Sequence, residues 1–139
     1  MVKNIQLFFL FLGASALYAQ DFSKIDIDFE NLNFKETIIP LQKLNNTFPN
    51  NIDVLVRLSA AHHFLSEEAD EKKVEKLNMD KALGYVIQAM SIDSTNAQVH
   101  KWYAVSYGKS VENQNIRTQI ESSKIIEFHS LQAIEQLPN

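Results

Sequence analysis

The sequence predicts an all-α protein assembled from paired helices, and three observations carry that prediction. Its 139 residues include three glycines and three prolines, a supply of turn formers too small for the tight hairpins of a sheet-rich fold. Apolar residues make up 45% of the chain, enough for one modest core. Small side chains recur at helical spacing with a period of 44 to 45 residues, as repeated helix hairpins require.

The chain opens with Lys3, the apolar run Ile5 to Leu12, the small-residue stretch Gly13-Ala14-Ser15-Ala16, and then Ala19-Gln20. That order reads as a secretory signal over residues 1–20, cut after Ala19 or nearby, and predicts a secreted or periplasmic protein. The alternative is a retained anchor, which would supply the chain's membrane contact, although the apolar run is shorter than the roughly 20 residues of a spanning helix. Cleavage leaves twelve Lys and Arg against 17 Asp and Glu, a formal charge of −5.

Residues 21–32 come next, where Ile25, Ile27 and Phe29 alternate with Asp26 and Asp28 and predict an extended arm or a short strand. The helical domain fills 33–139. Asn33 with Glu36 is the expected cap of its first helix. Pro40 lies inside the Phe34–Phe48 pattern and predicts a kink or two short helices, because it removes a hydrogen bond and crowds the preceding turn. Pro49 closes that helix. The polar run Ser66 to Lys73 predicts a loop, with Asn78 capping the helix that follows. Thr95-Asn96-Ala97-Gln98 has the form of a capping box led by the Thr95 hydroxyl. Asn113 or Asn115 caps the last helix, which Pro138 ends.

The repeat is read from these helices. Thr37, Leu41, Leu44 and Pro49 are matched by Ala82, Val86, Ala89 and Ser94, and again by Ile126, Ser130, Ala133 and Pro138. An opening pattern, Leu55, Leu58-Ser59 and His62, returns 45 residues later as His100, Tyr103-Ala104 and Tyr107. Ser59, Ala82, Ala89, Ala104 and Ala133 are then the points at which helices touch. These spacings resemble the tetratricopeptide consensus and imply a segment of a right-handed α-solenoid, with about ten residues more per unit. The surplus is expected as loop in the first full unit and as a longer helix in the second.

Absent chemistry narrows the function. No cysteine means no disulfide, no thiol nucleophile and no Cys-ligated zinc. A formal charge of −4 with mixed signs is unlike a nucleic-acid footprint, so no nucleic-acid partner is expected. His62, His63, His100 and His129 have no metal-ligand spacing, and packed imidazoles are expected. The acidic run Glu67 to Glu71 is interleaved with no buried partner that would tune a carboxylate. Neither catalytic residues nor a cofactor or metal site is expected.

The remaining candidates bind protein. Stacked helical hairpins present a concave surface to partner peptides, and Trp102 with Lys101 and Arg57 is the candidate anchor on it. The competing reading places Trp102 against the neighbouring hairpin together with Val99.

At His100-Lys101-Trp102-Tyr103-Ala104, and more generally over residues 50–139, the sequence resembles the regulator of microtubule dynamics family. The resemblance implies a tetratricopeptide-like, non-catalytic helical domain, microtubules as a partner, and further hairpins beyond Asn139. The domain is accordingly either cut short at its C-terminal end or has the apolar side of its last helix covered. Ile116, Ile120, Ile126, Ile134 and Leu137 mark that side, and a partner, a second copy or the Phe22–Phe29 arm could cover it.

Overall fold

A computed structural model describes residues 22–137, and every regular element among them is a helix. The signal sequence expected over 1–20 lies outside the described residues. Six helices follow one another: α1 over residues 22–30, α2 Phe34–Thr47, α3 Ile52–Glu67, α4 Lys72–Ile92, α5 Ala97–Val111 and α6 Ile116–Gln136. Connections of three or four residues turn each helix back along its predecessor, the geometry of antiparallel neighbours.

The expected extended arm is a helix instead. Phe22, Ile25 and Phe29 recur at intervals of three and four, so one side of a helix collects all three. Phe22 and Ile25 are buried with Leu41 and Leu44 of α2 and Val54, Leu58 and Ala61 of α3, and Phe29 packs against this cluster. The arm is therefore spent on the first core and does not cover α6. Its turn into α2 places Leu32 at φ 60°, with Leu32 N–H donating to the Phe29 carbonyl at 3.0 Å and Asn33 N–H to that of Asp28 at 2.8 Å. This is a left-handed helix stop at a residue that is not glycine.

Three further expectations change. α2 runs through Pro40 as one helix rather than two, the proline removing a single intrahelical donor. Asn33 starts α2 without a side-chain cap bond. α4 begins at Lys72, so the predicted loop shrinks to residues 68–71 and the surplus length goes into a 21-residue helix. Asn78 thus lies inside α4, where its Oδ1 meets His62 Nδ1 at 2.9 Å instead of capping a helix. At α5 the cap is Asn96, whose side chain accepts from Gln98 N–H and Val99 N–H, while Thr95 donates to Asp93. Asn115 caps α6 by accepting from Thr118 N–H, as expected for one of its two candidates.

Two apolar clusters hold the chain together. The first joins α1, α2 and α3. The second joins Leu55 and Val56 of α3, Val86 and Ala89 of α4 and Val99 of α5, with Trp102 and Tyr103 packed on it. Ser59, Ala82, Ala89, Ala104 and Ala133 are all buried, so the small side chains do stand where helices meet. An aromatic ladder links the layers. Phe34 stacks on Phe64 with centroids 4.4 Å apart, and Trp102 meets Phe64 edge-on at 5.7 Å.

Candidate functional site: the uncovered side of the last helix pair

α6 joins the fold differently from its predecessors. Only Ser122 and Ala133 of its 21 residues are buried, and it contributes nothing large to either apolar cluster. Polar and aromatic contacts to α5 hold it instead. Tyr107 Oη lies 3.2 Å from Ser122 Oγ, and the Tyr103 ring lies 4.2 Å from the His129 ring, centroid to centroid. Meanwhile Ile116, Ile120, Phe128, Leu131 and Ile134 are each more than half exposed. An apolar display of this size on one helix is typical of a contact surface rather than of free solvent-facing structure.

The display continues into two open clefts between α5 and α6. One, of about 350 Å³, is walled by Ala104 and Val105 of α5, by Ala133 and Ile134 of α6 and by Leu137 at its end, with Lys101 at its rim. The other, of about 530 Å³, also borders Val105, is shared with His63 and Glu67 of α3, and reaches Ile126, Ser123 and the ion pair between Lys109 Nζ and Glu112 Oε2 at 2.7 Å. That pair lowers the Glu112 carboxyl through the Lys109 hydrogen bond and raises Lys109 in return. The floor is apolar and the rim carries both signs of charge.

The sequence-derived anchor set is divided by the structure. Arg57 is committed to α1: its Nε lies 2.8 Å from Asp26 Oδ1, its Nη2 3.0 Å from Asp26 Oδ2, and its guanidinium sits 4.2 Å from the centre of the Phe22 ring. Trp102 is half-buried, its ring edge-on to His63 and Phe64, so it contacts the neighbouring hairpin as the competing reading had it. Lys101 is exposed with its Nζ 5.7 Å from the Trp102 ring centre. Lys101 and Trp102 therefore stay together and Arg57 does not join them.

Each histidine is packed into the fold. His62 is buried with its ring stacked on Tyr85, and burial lowers its pKa despite the Asn78 hydrogen bond that works the other way. His63 is buried beside Glu67, Nε2 to Oε1 3.6 Å, and burial again outweighs the carboxylate and lowers its pKa. Burial thus favours the neutral form of both imidazoles. His100 and His129, 29 residues apart, face each other with their Nδ1 atoms separated by 2.7 Å, a contact that no local spacing announces. Among the described residues no group of three or more His, Asp or Glu could hold a metal ion, and no helix is long and apolar enough to cross a membrane.

Comparison with known proteins gives this surface a context. The family model described as Regulator of microtubule dynamics protein 1-3 matches residues 21–139. The chain is similar to the protein named Regulator of microtubule dynamics protein 1 of Bos taurus, 32% identical over 84 residues, which is 60% of this chain and 26% of the bovine protein. The matched stretch thus spans about a quarter of that relative. No solved structure matches the chain.

Proposed function

The chain belongs to the regulator of microtubule dynamics family, and from that premise we propose that it is a non-catalytic, tetratricopeptide-like interaction module acting on microtubule dynamics through protein contact. The observation that carries the reading is the apolar side of α6, uncovered along the whole helix and continuous with the α5–α6 clefts.

The repeat itself supports the assignment of that side. In the preceding helix pair, Val56, Val86 and Ala89 form the surface on which Val99 and Trp102 of α5 pack. Counting 45 residues on from α3 and 44 from α4 leads to Lys101, Ser130 and Ala133, which line the first cleft. The cleft is in this reading a helix-binding groove one unit further along, with Lys101 at its rim. A partner helix offering a valine-and-aromatic stripe like that of α5 fits it.

Sedimentation with polymerised tubulin tests the reading. The wild-type chain should pellet with the polymer, and the Ile120→Asp/Ile134→Asp double variant, which changes two exposed residues, should bind at least about tenfold more weakly while keeping its helical content. Failure of the wild-type chain to pellet would remove the microtubule reading. Equal pelleting of the variant would remove α6 as the contact.

A second reading, an exported module of the same fold, draws on the Ile5–Leu12 run and the small residues after it. N-terminal sequencing of the mature protein decides it: a start near Asp21 supports export, and a retained Met1 opposes it.

A further inference from the structure

Two imidazoles in hydrogen-bond contact link α5 to α6. His100 is buried on α5 and His129 half-buried on α6, with Nδ1 to Nδ1 2.7 Å and the rings tilted by 36° at a centroid distance of 4.9 Å. The second nitrogen of His100, Nε2, lies 2.9 Å from the Ser94 carbonyl in the turn after α4. A carbonyl can only accept, so His100 Nε2 carries a proton. Neutral His100 then has a bare Nδ1, and the short contact requires His129 Nδ1 to donate to it. One arrangement of protons satisfies both bonds, with His129 Nε2 left free.

Proton counting gives the consequence. A first added proton on His129 Nε2 leaves both bonds intact. A second must go to His100 Nδ1, and two N–H groups would then point at each other across 2.7 Å. We propose that His100 and His129 form a proton-operated latch on α6, closed while the pair carries at most one extra proton and opened by the second.

The surroundings favour that behaviour. Tyr103 of α5 stacks on His129 and Phe128 of α6 meets His100 edge-on at 6.1 Å, so neither supplies a charge. Lys101 beside His100 is exposed and leans toward Trp102. From the turn after α4, Asp93 is held ionised mainly by the Thr95 hydroxyl and amide and is also attracted to His100, offering a counter-charge to protonated His100 once it is displaced. Burial, with repulsion from His100, pushes His129 below its ordinary 6.5. Proton uptake by the pair grows as the pH falls, so opening lies on the acid side of closure. Besides the imidazole pair, α6 is retained by the Tyr107–Ser122 hydrogen bond and the Tyr103–His129 ring contact, with only two of its residues buried. The latch rests on this geometry alone; its control of partner binding rests on the function proposed above.

Hydrogen exchange in the full chain, read at about pH 7.5 and about pH 5 and corrected for intrinsic rates, tests it. In the wild-type chain, protection of peptides from α6 should fall about tenfold more than protection of peptides from α3. His129→Gln, whose amide can donate to His100 Nδ1 but cannot titrate, should abolish that difference. Parallel loss in α3 and α6, or an unchanged difference in the variant, overturns the latch. Should the variant not fold, nitrogen-15 spectra of the wild-type imidazoles decide: protons on His129 Nδ1 and His100 Nε2 at about pH 7.5 are required, and a proton on His129 Nε2 in place of Nδ1 refutes it. Tubulin sedimentation at the higher pH separates the two proposals, since it reports on the α6 surface with the latch closed.

Discussion

Arg57 holds Asp26 with two parallel hydrogen bonds of 2.8 and 3.0 Å, fixing α1 to α3 across 31 residues of sequence. The pair lies at the edge of the first core, with side-chain exposures of 27% and 49%, so water screens much of its attraction. Its value is geometric as well as energetic, because the same guanidinium covers the Phe22 ring.

Asp26→Asn should accordingly cost little, about 0.5–1 kcal/mol, and less at high salt. Arg57→Ala should cost about 1–2 kcal/mol, because it also uncovers Phe22 and leaves Asp26 alone. Urea midpoints at two ionic strengths measure both. A loss above about 3 kcal/mol for Asp26→Asn would show a pair far less screened than its exposure allows.

Leu32, in the turn after α1, has a positive φ and is 68% exposed, so leucine adds strain there with few contacts in return. Leu32→Gly should raise stability by about 0.5–1 kcal/mol, the removed strain exceeding the added flexibility of the unfolded chain. A lower thermal midpoint in the variant would mean that Leu32 makes contacts in solution that offset its backbone.

α1 and the histidine pair show where the sequence is legible and where it is not. Ile25, Ile27 and Phe29 satisfy a two-residue alternation, and Phe22, Ile25 and Phe29 satisfy a helical stripe, so a nine-residue stretch supports both readings. The choice is made by Leu41, Leu44 and Leu58, which lie in other helices. Small residues were better guides. Ser59, Ala89 and Ala133 mark helix contacts because a close approach admits nothing larger, a constraint visible in the residue itself. Arg57 looked free as a sequence, since its partner Asp26 carries no mark of the pairing. His100 and His129 meet through tertiary packing alone.

Acid should weaken the fold in a defined direction. His62 and His63 have folded pKa values below the ordinary 6.5, lowered chiefly by burial. Above 6.5 neither state takes up a proton on these groups and stability is insensitive to them. Below it the unfolded chain binds protons first, and stability falls with pH until the folded values are reached. A urea midpoint flat above neutrality and declining below about pH 6.5 is expected, with His62→Gln making the decline shallower. A midpoint that rises between neutrality and that point would contradict buried, neutral imidazoles.

Ser59 and Ala104 occupy matched places 45 residues apart, both at helix contacts, yet only one carries a hydroxyl. Ser59 is fully buried and its Oγ has no hydrogen-bond partner. An unsatisfied hydroxyl costs about 1–3 kcal/mol, whereas removing it leaves a void of a single oxygen atom. Alanine also has the higher helix propensity, so both effects point the same way. Ser59→Ala should therefore stabilise the chain by about 1 kcal/mol, with Ala104 as nature's version of the same solution one hairpin later. The reverse change, Ala104→Ser, should destabilise only if the added hydroxyl finds no backbone carbonyl one turn back. Thermal midpoints of the two variants, taken together, test whether the small-residue positions demand size alone. Loss of stability in Ser59→Ala would mean that the hydroxyl is satisfied in solution and that polarity at this contact is itself selected.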